Sequence, residues 1–287
     1  MFNQAFDRWI KALGTVLLLS GLYLSAGDDV KYQQNKSCLE CHDGEVDPLH
    51  RTIHIPAFGV SCQDCHVDYK AHMEDEDTKP SSPVGASANE VCLSCHNTTH
   101  QPKFGGDVHA QNSVYCMDCH QSHKKDAQDV PILSDQQDQL CLSCHTDQRV
   151  QFSKPYTHTL GQGGMTCSSC HNPHGGAGQA SLASAHNGKS ACSSCHVEKE
   201  GPFVFDHVNG TTGDCMSCHE PHGSSNPRQL NRARVNQVCF ECHSALPAGT
   251  LGSQPPSFHD MRSNRYQDCT VCHTAVHGSS QSPALLK

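Results

Sequence analysis

A fold of short helices and mostly irregular loops, wrapped around bound prosthetic groups in place of a side-chain core, is the class that this sequence predicts. Three observations predict it. The 287 residues are 36% hydrophobic and only 6% aromatic, with Trp9 the single tryptophan, yet they include 20 cysteines and 23 histidines. All the cysteines fall into C-x-x-C pairs, and every pair is followed at once by a histidine.

Composition comes first. A chain of this length could form one or two domains, but the hydrophobic fraction already credits the cysteines, so a polypeptide core of normal size is not expected. Something bound by cysteine and histidine must replace it. At the N-terminus, Arg8 and Lys11 precede the uncharged stretch ALGTVLLLSGLYLSA and the polar GDDVKYQQ. This is the layout of a secretory signal peptide, residues 1–26 with cleavage near Ala26, the alternative being an uncleaved anchor. Residues 27–287 are then an exported body with no further stretch long and apolar enough to span a bilayer. The formal charge is −9, and residues 1–26 contribute a net single positive charge through Asp7, Arg8 and Lys11, which leaves −10 on the body. No basic stripe is present to neutralise phosphates, so nucleic acid is not an expected partner.

The cysteine pairs are Cys38/Cys41, Cys62/Cys65, Cys92/Cys95, Cys116/Cys119, Cys141/Cys144, Cys167/Cys170, Cys192/Cys195, Cys215/Cys218, Cys239/Cys242 and Cys269/Cys272. The histidines that follow them are His42, His66, His96, His120, His145, His171, His196, His219, His243 and His273. Zinc sites could use such pairs but do not require the adjacent histidine. A disulfide across two residues closes too small a loop to stabilise a chain of this size much. C-x-x-C-H is the pattern of covalent haem c attachment. The two thiols bond to the porphyrin vinyl groups, and a helical turn aims the next histidine at the iron. Ten covalently bound haems are therefore expected, with these histidines as proximal ligands. The fold class becomes a multihaem cytochrome c built around an elongated haem stack.

The motifs alternate in context. Odd ones read NKSCLECH, NEVCLSCH, DQLCLSCH, KSACSSCH and NQVCFECH. Even ones carry a histidine shortly before and another shortly after. Five two-haem repeats of roughly fifty residues follow, at about 28–88, 89–137, 138–188, 189–235 and 236–287. The repeat sorts the histidines outside the motifs: His54, His109, His158, His207 and His259 precede an even motif, and His72, His123, His174, His222 and His277 follow one. These ten are the expected distal ligands. His50, His100 and His186 fall outside the pattern and are assigned to the surface or to positions supporting a ligand, with His50 the alternative to His54 and His100 the alternative to His109. Methionine is the competing sixth ligand, but Met117 and Met216 lie inside C-x-x-C loops, leaving only Met73, Met165 and Met261. Bis-histidine, low-spin haems of low potential are expected.

His219 and His222 can be at most about 11 Å apart even fully extended, short of the roughly 12 Å that opposite ligands of one iron need with metal–nitrogen bonds of about 2 Å. His222 is therefore expected to serve a neighbouring haem, within its own two-haem unit. Residues 73–90, MEDEDTKPSSPVGASANE, read as a solvated loop. The His174/Gly175, His222/Gly223 and His277/Gly278 steps read as tight reversals against a haem edge.

With enough histidine to close every iron, the chain is expected to move electrons and not to be an enzyme. The run of motifs, together with CHNPHGG, CHEPHGSSNPRQL, PPSFHDMR and DCTVCHTAVHGSS, resembles the periplasmic decahaem cytochromes of the MtrA/DmsE family over essentially all of the mature chain. That resemblance implies a place in the periplasm, inside an outer-membrane β-barrel porin. Its partners would be periplasmic or inner-membrane quinol-linked cytochromes on one side and an extracellular multihaem cytochrome or terminal reductase on the other. Metal oxides, dimethyl sulfoxide or ferrous iron would be the ultimate acceptors or donors. A porin also answers a physical need, since a polar chain crosses lipid only inside a sheath that satisfies its backbone. Two other readings stay open: a free periplasmic shuttle or storage cytochrome, and a multihaem reductase.

Overall fold

The computed structural model describes residues 35–42, 54, 59–97, 104–123, 132–161, 164–176, 180–183, 190–207, 215–243 and 264–286. The leader 1–26 and His50, His100, His186 and His259 lie outside them. The chain forms two compact units, Met1–Gln136 and Gln137–Lys287. Among the described residues no helix is long and apolar enough to cross a membrane.

Each C-x-x-C-H motif is a helical turn closed on itself. The N–H of the motif histidine donates to the carbonyl of the first cysteine in His42, His66, His120, His145, His171, His196, His219, His243 and His273, at 2.8–3.0 Å. His96 ends the helix Ala86–His96. This α-type bond puts both sulfurs and the imidazole on adjoining faces of a single turn.

Odd and even motifs differ in what leads into them. In the first unit the third motif ends Ala86–His96, and in the second unit the fifth ends Gln137–Cys144 and the ninth begins at the last residue of Val235–Cys239, whereas the seventh is a bare turn, Cys192–Ser194. Even motifs are bare turns such as Cys62–Cys65 and Cys116–Cys119. Such short helices would fray alone, and here the aspartate inside the motif accepts from the residue before the first cysteine and closes the turn. Asp64 Oδ2 accepts from the Ser61 N–H at 2.6 Å and hydroxyl at 2.9 Å, and Asp118 Oδ2 accepts from the Tyr115 N–H at 2.7 Å.

An asparagine three residues before an odd motif joins it to the next even one. Asn35 Oδ1 accepts from the Cys62 N–H at 2.9 Å, and Asn89 Oδ1 from the Cys116 N–H at 2.8 Å, both across 27 residues. In the third repeat Gln137 Oε1 accepts from the Ser168 N–H at 3.2 Å. At these three places an odd motif and the next even one form a hydrogen-bonded pair of turns.

The second unit adds a clasp that is used twice. Tyr156 and Ser224 pair as an isolated antiparallel bridge, and so do Phe205 and Ser279. In each case a histidine–glycine–serine turn docks on the segment that carries His158 or His207. Gly223 and Gly278 both have φ +138°, and a Cβ on them would sit 2.3 Å from the Gln151 carbonyl oxygen and 2.1 Å from the Phe203 ring. The reversals expected from sequence are present, packed against the chain's own backbone and an aromatic ring.

The segment 73–90 departs from its expected form. Helix Tyr69–Glu74 runs into it and helix Ala86–His96 begins inside it. Good helix formers at both ends extend the flanking elements, while Pro80 and Pro83 keep the middle out of a helix. Among the described residues the buried hydrophobics are Ala88, Phe104 and Ala191. Burying a large apolar side chain stabilises by about 1.5–3 kcal/mol, and fixing one residue's backbone costs about 1–2 kcal/mol. Side-chain packing of that extent does not hold so long a chain together.

Candidate haem-binding centres

The histidines meet in twos, each pair combining one motif histidine with one histidine that flanks an even motif. In the first unit the ring centroids of His42 and His72 are 5.9 Å apart, those of His96 and His54 6.0 Å, and those of His66 and His123 6.3 Å. In the second unit the pairs are His171 with His222 at 5.9 Å, His196 with His158 at 6.3 Å, His243 with His207 at 6.0 Å and His219 with His277 at 6.3 Å.

That separation fits a metal ion between two rings. Two metal–nitrogen bonds of about 2 Å each, plus about 1 Å from each bonding nitrogen to its ring centre, come to about 6 Å. Among the described residues no group of three or more His, Cys, Asp or Glu side chains could hold a bare metal ion. Two imidazoles beside a C-x-x-C pair fit a bis-histidine haem c, whose porphyrin would supply the other four ligands.

Hydrogen bonds orient the rings. Nδ1 of the even-motif histidines donates to a backbone carbonyl farther along the chain: His66 to Ser81 at 3.2 Å, His171 to Ala180 at 2.8 Å, His219 to Arg228 at 2.9 Å and His273 to Ala284 at 2.6 Å. Of the flanking histidines, His72 donates to Thr78 O at 3.0 Å, His158 to Pro221 O at 2.9 Å and His222 to Gln151 Oε1 at 3.2 Å. His109 meets Asp107 Oδ1 at 3.0 Å. A proton fixed on Nδ1 leaves the Nε2 lone pair for a metal. Burial, followed by repulsion from the facing ring, lowers the pKa of His54 (against His96), His207 (against His243) and His222 (against His171). For His277 burial comes first, then Lys199 and His219. The shift favours the neutral imidazole, the form that binds iron.

Consecutive motifs also bring their sulfurs near one another, through hydrogen bonds between Cys38 and Cys62, Cys92 and Cys116, Cys141 and Cys167, and Cys239 and Cys269. Burial and then Cys38 push the Cys62 thiol up to about 11, and burial and then Cys116 do the same to Cys92. Cys141 is held at about 7 by its hydrogen bond with Cys167, whose own thiol is pushed up. Cys239 rises to about 12 through burial, Cys269 and Cys218. Burial and then Cys92 raise Cys65, and burial and then Cys192 raise Cys170. The order of motifs in sequence is therefore their order in space through the first four, from the fifth to the seventh, and from the eighth to the tenth.

The sequence gives all the cysteines one role, and the structure does not give them one environment. None forms a disulfide, but Cys41, Cys95, Cys144, Cys195 and Cys242, the second cysteines of the five odd motifs, are exposed, and so is Cys272 of the last motif. Their counterparts in the other even motifs, Cys65, Cys119, Cys170 and Cys218, are only partly exposed. The cause is the way the turns meet. Odd motifs lean on the next motif through their first cysteine, as Cys38, Cys92, Cys141 and Cys239 do, which leaves the second facing outward. In even motifs it is the second cysteine that is influenced by the next motif, as Cys65 is by Cys92 and Cys170 by Cys192. Cys192 and Cys215 are exposed as well. The polypeptide by itself therefore does not enclose Cys41, Cys95, Cys195, Cys242 or Cys272 as it does the thiols at the contacts between motifs.

A second sequence expectation is corrected outright. His222 faces His171 of the preceding repeat, not a histidine of its own two-motif unit. The cause is the clasp at Tyr156 and Ser224, which draws residues 221–224 back onto the preceding repeat. The positioning roles of Asn35, Asn89, Asp107 and Gln151 are not among the sequence expectations. Asparagine three residues before Cys38, Cys92 and Cys239 was the available signal.

Comparison with known proteins agrees with this geometry. The family described as "Doubled CXXCH motif" matches residues 108–150, 158–201 and 207–248. Its doubled unit runs from an even motif to the next odd one, so the pairs His158/His196 and His207/His243 each lie within a single match. The chain is 33% identical over 267 residues to the "Multiheme cytochrome MtrA" of Shewanella baltica (strain OS185), covering 85% of this chain and 78% of the relative.

Proposed function

Because the chain belongs to the MtrA family of multihaem cytochromes, we propose that it is a decahaem electron wire held inside an outer-membrane β-barrel porin. It links periplasmic, quinol-connected carriers to extracellular acceptors or donors such as metal oxides, dimethyl sulfoxide or ferrous iron. When bound, each haem supplies an iron that gains or loses one electron. The rest is the work of the chain.

The observation that carries the reading is the set of histidine pairs about 6 Å apart, with neighbouring motifs in contact through their cysteines. In this reading the twenty cysteines bond the cofactors and the ten motif histidines are proximal ligands. The outward thiols Cys41, Cys95, Cys144, Cys195, Cys242 and Cys272 belong to the attachment set too, since an exposed sulfur is open to a vinyl group from outside the turn. His72, His54, His123, His222, His158, His207 and His277 are the distal ligands opposite His42, His96, His66, His171, His196, His243 and His219. His109, His174 and His259 are the remaining distal candidates, and His120, His145 and His273 the remaining motif histidines. Ligands taken from adjacent repeats tie each cofactor to the next segment of chain, which fixes cofactor spacing. Two imidazoles on every iron leave no open position for a substrate, so the chain passes electrons and does not transform a molecule. The signal peptide directs the body 27–287 to the periplasm, where the five repeats assemble.

The test is purification from outer membranes in mild detergent, followed by reconstitution into liposomes that enclose a redox dye. A stoichiometric β-barrel partner and electron exchange across the sealed bilayer are expected. A holoprotein recovered only as a soluble monomer, with no transmembrane exchange, would favour the periplasmic shuttle and overturn the wire.

A further inference from the structure

His109 differs in what holds its ring from the seven candidate ligands whose Nδ1 partners are given above. Its Nδ1 lies 3.0 Å from Asp107 Oδ1, and the same oxygen accepts the His109 backbone N–H at 3.0 Å. In His66, His72, His158, His171, His219, His222 and His273 the Nδ1 partner described above is a carbonyl or carboxamide oxygen, which carries no net charge.

The Asp107 side chain is 3% exposed while His109 is 31% exposed, so the carboxylate is the buried member. Its position is fixed by the fold. Asp107 caps the helix Val108–Gln111 in extended conformation, and its own N–H donates to the Phe104 carbonyl at 3.0 Å. Phe104 is itself buried. The corresponding position, two residues before the flanking histidine, is Thr52, Tyr156, Phe205 and Ser257 in the other repeats. A carboxylate occurs there once.

We propose that Asp107 is a tuning residue, whose buried charge makes the haem ligated by His109 lower in potential than its neighbours. The inference rests on the reading of His109 as an axial ligand. A carboxylate accepting from Nδ1–H draws the proton toward itself and makes Nε2 a stronger donor, as with carboxylate–histidine pairs on other metals. It also places a negative charge, little screened by water, near an iron whose oxidised state carries one more positive charge than its reduced state. Both effects favour the oxidised state. A hydrogen bond to the ligating imidazole is a recognised control on haem potential, alongside axial-ligand identity and burial. A wire of otherwise similar repeats thereby acquires one site from which an electron leaves readily to the adjacent haem and onto which it returns reluctantly.

Asp107→Asn is the discriminating variant, since asparagine caps a helix as well as aspartate and keeps an acceptor oxygen while removing the charge. Redox titration of the purified holoprotein, followed by visible absorbance, should show one component moving to higher potential by roughly tenfold in its one-electron equilibrium, about 59 mV. Electron paramagnetic resonance should still show only low-spin haem. Asp107→Ser, which also caps and also lacks the charge, should give the same shift. A titration unchanged in both variants overturns the proposal, as does a shift accompanied by a high-spin signal, which would make Asp107 a structural prop. His109→Ala tests the underlying reading separately: one high-spin haem supports it, and a spectrum left wholly low-spin removes the ligand assignment and the tuning role with it.

Discussion

The rings of His171 and His222 face each other with centroids 5.9 Å apart, although one belongs to an attachment motif and the other to the turn that follows the next even motif. The arrangement is held from behind. Gln151 Oε1 accepts from His222 Nδ1 at 3.2 Å, and the Thr157 hydroxyl donates to the His222 carbonyl at 3.0 Å. The same stretch of chain positions His158, whose Nδ1 donates to Pro221. Two candidate ligands for two different irons thus share a single clasp.

His222→Ala should convert one haem to the high-spin state, seen by electron paramagnetic resonance of the oxidised protein, and leave the covalent haem content unchanged. His186→Ala, outside the pairing pattern, should change neither. A spectrum unaffected by loss of His222 would contradict the pairing with His171.

Gly223→Ala should cost far more than an ordinary surface change. The added Cβ meets the Gln151 carbonyl oxygen at 2.3 Å in a backbone with φ +138°, and strain of this kind costs on the order of 1–3 kcal/mol before any steric displacement. The turn must move, and His222 with it, so lower resistance to denaturant and partial high-spin character should appear together. Gly105→Ala, whose Cβ meets nothing within 4 Å, should stay within about 0.5 kcal/mol of the parent.

Asn89→Ala removes the acceptor of the Cys116 N–H. Leaving that donor without its partner should lower stability by about 1–3 kcal/mol, read as a lower denaturant midpoint. The absorbance and spin state of the haems should not change, because Asn89 positions the turn and touches no candidate ligand ring. A changed spin state would show that the asparagine does more than join the two turns.

Replacing Cys215 and Cys218 together by serine should lower the covalent haem content by one, measured as the haem-to-protein ratio of the denatured protein. Loss of that haem also breaks the tie between His219 and His277, so thermal stability should fall further than in Asn89→Ala. An undiminished covalent haem content would mean that this motif is not an attachment site.

The attachment chemistry was legible in the sequence because it is local. Two cysteines and a histidine within five residues form one helical turn, closed by an i to i−4 bond whatever the rest of the chain does, as the His219 N–H to Cys215 carbonyl bond shows. The sparse core was legible as well, since composition bounds the apolar surface available for burial. The sorting of histidines into motif and flanking sets followed from the repeat. Which flanking histidine faces which motif histidine did not follow, and for His222 the expected partner lay in the wrong repeat. Nor did spacing tell the outward Cys41 and Cys95 from the partly covered Cys65 and Cys119, because that difference depends on which neighbouring turn each sulfur meets. The backbone carbonyls of Ala180 and Arg228 that fix His171 and His219 were invisible too, because every residue carries a carbonyl and no residue type marks the one that is used. Sequence by itself determined the attachment motifs and the supply of candidate ligands. Only the tertiary structure decided the pairing, through the Tyr156–Ser224 and Phe205–Ser279 clasps, because contact between residues in different repeats depends on how the intervening chain folds back and not on spacing along it.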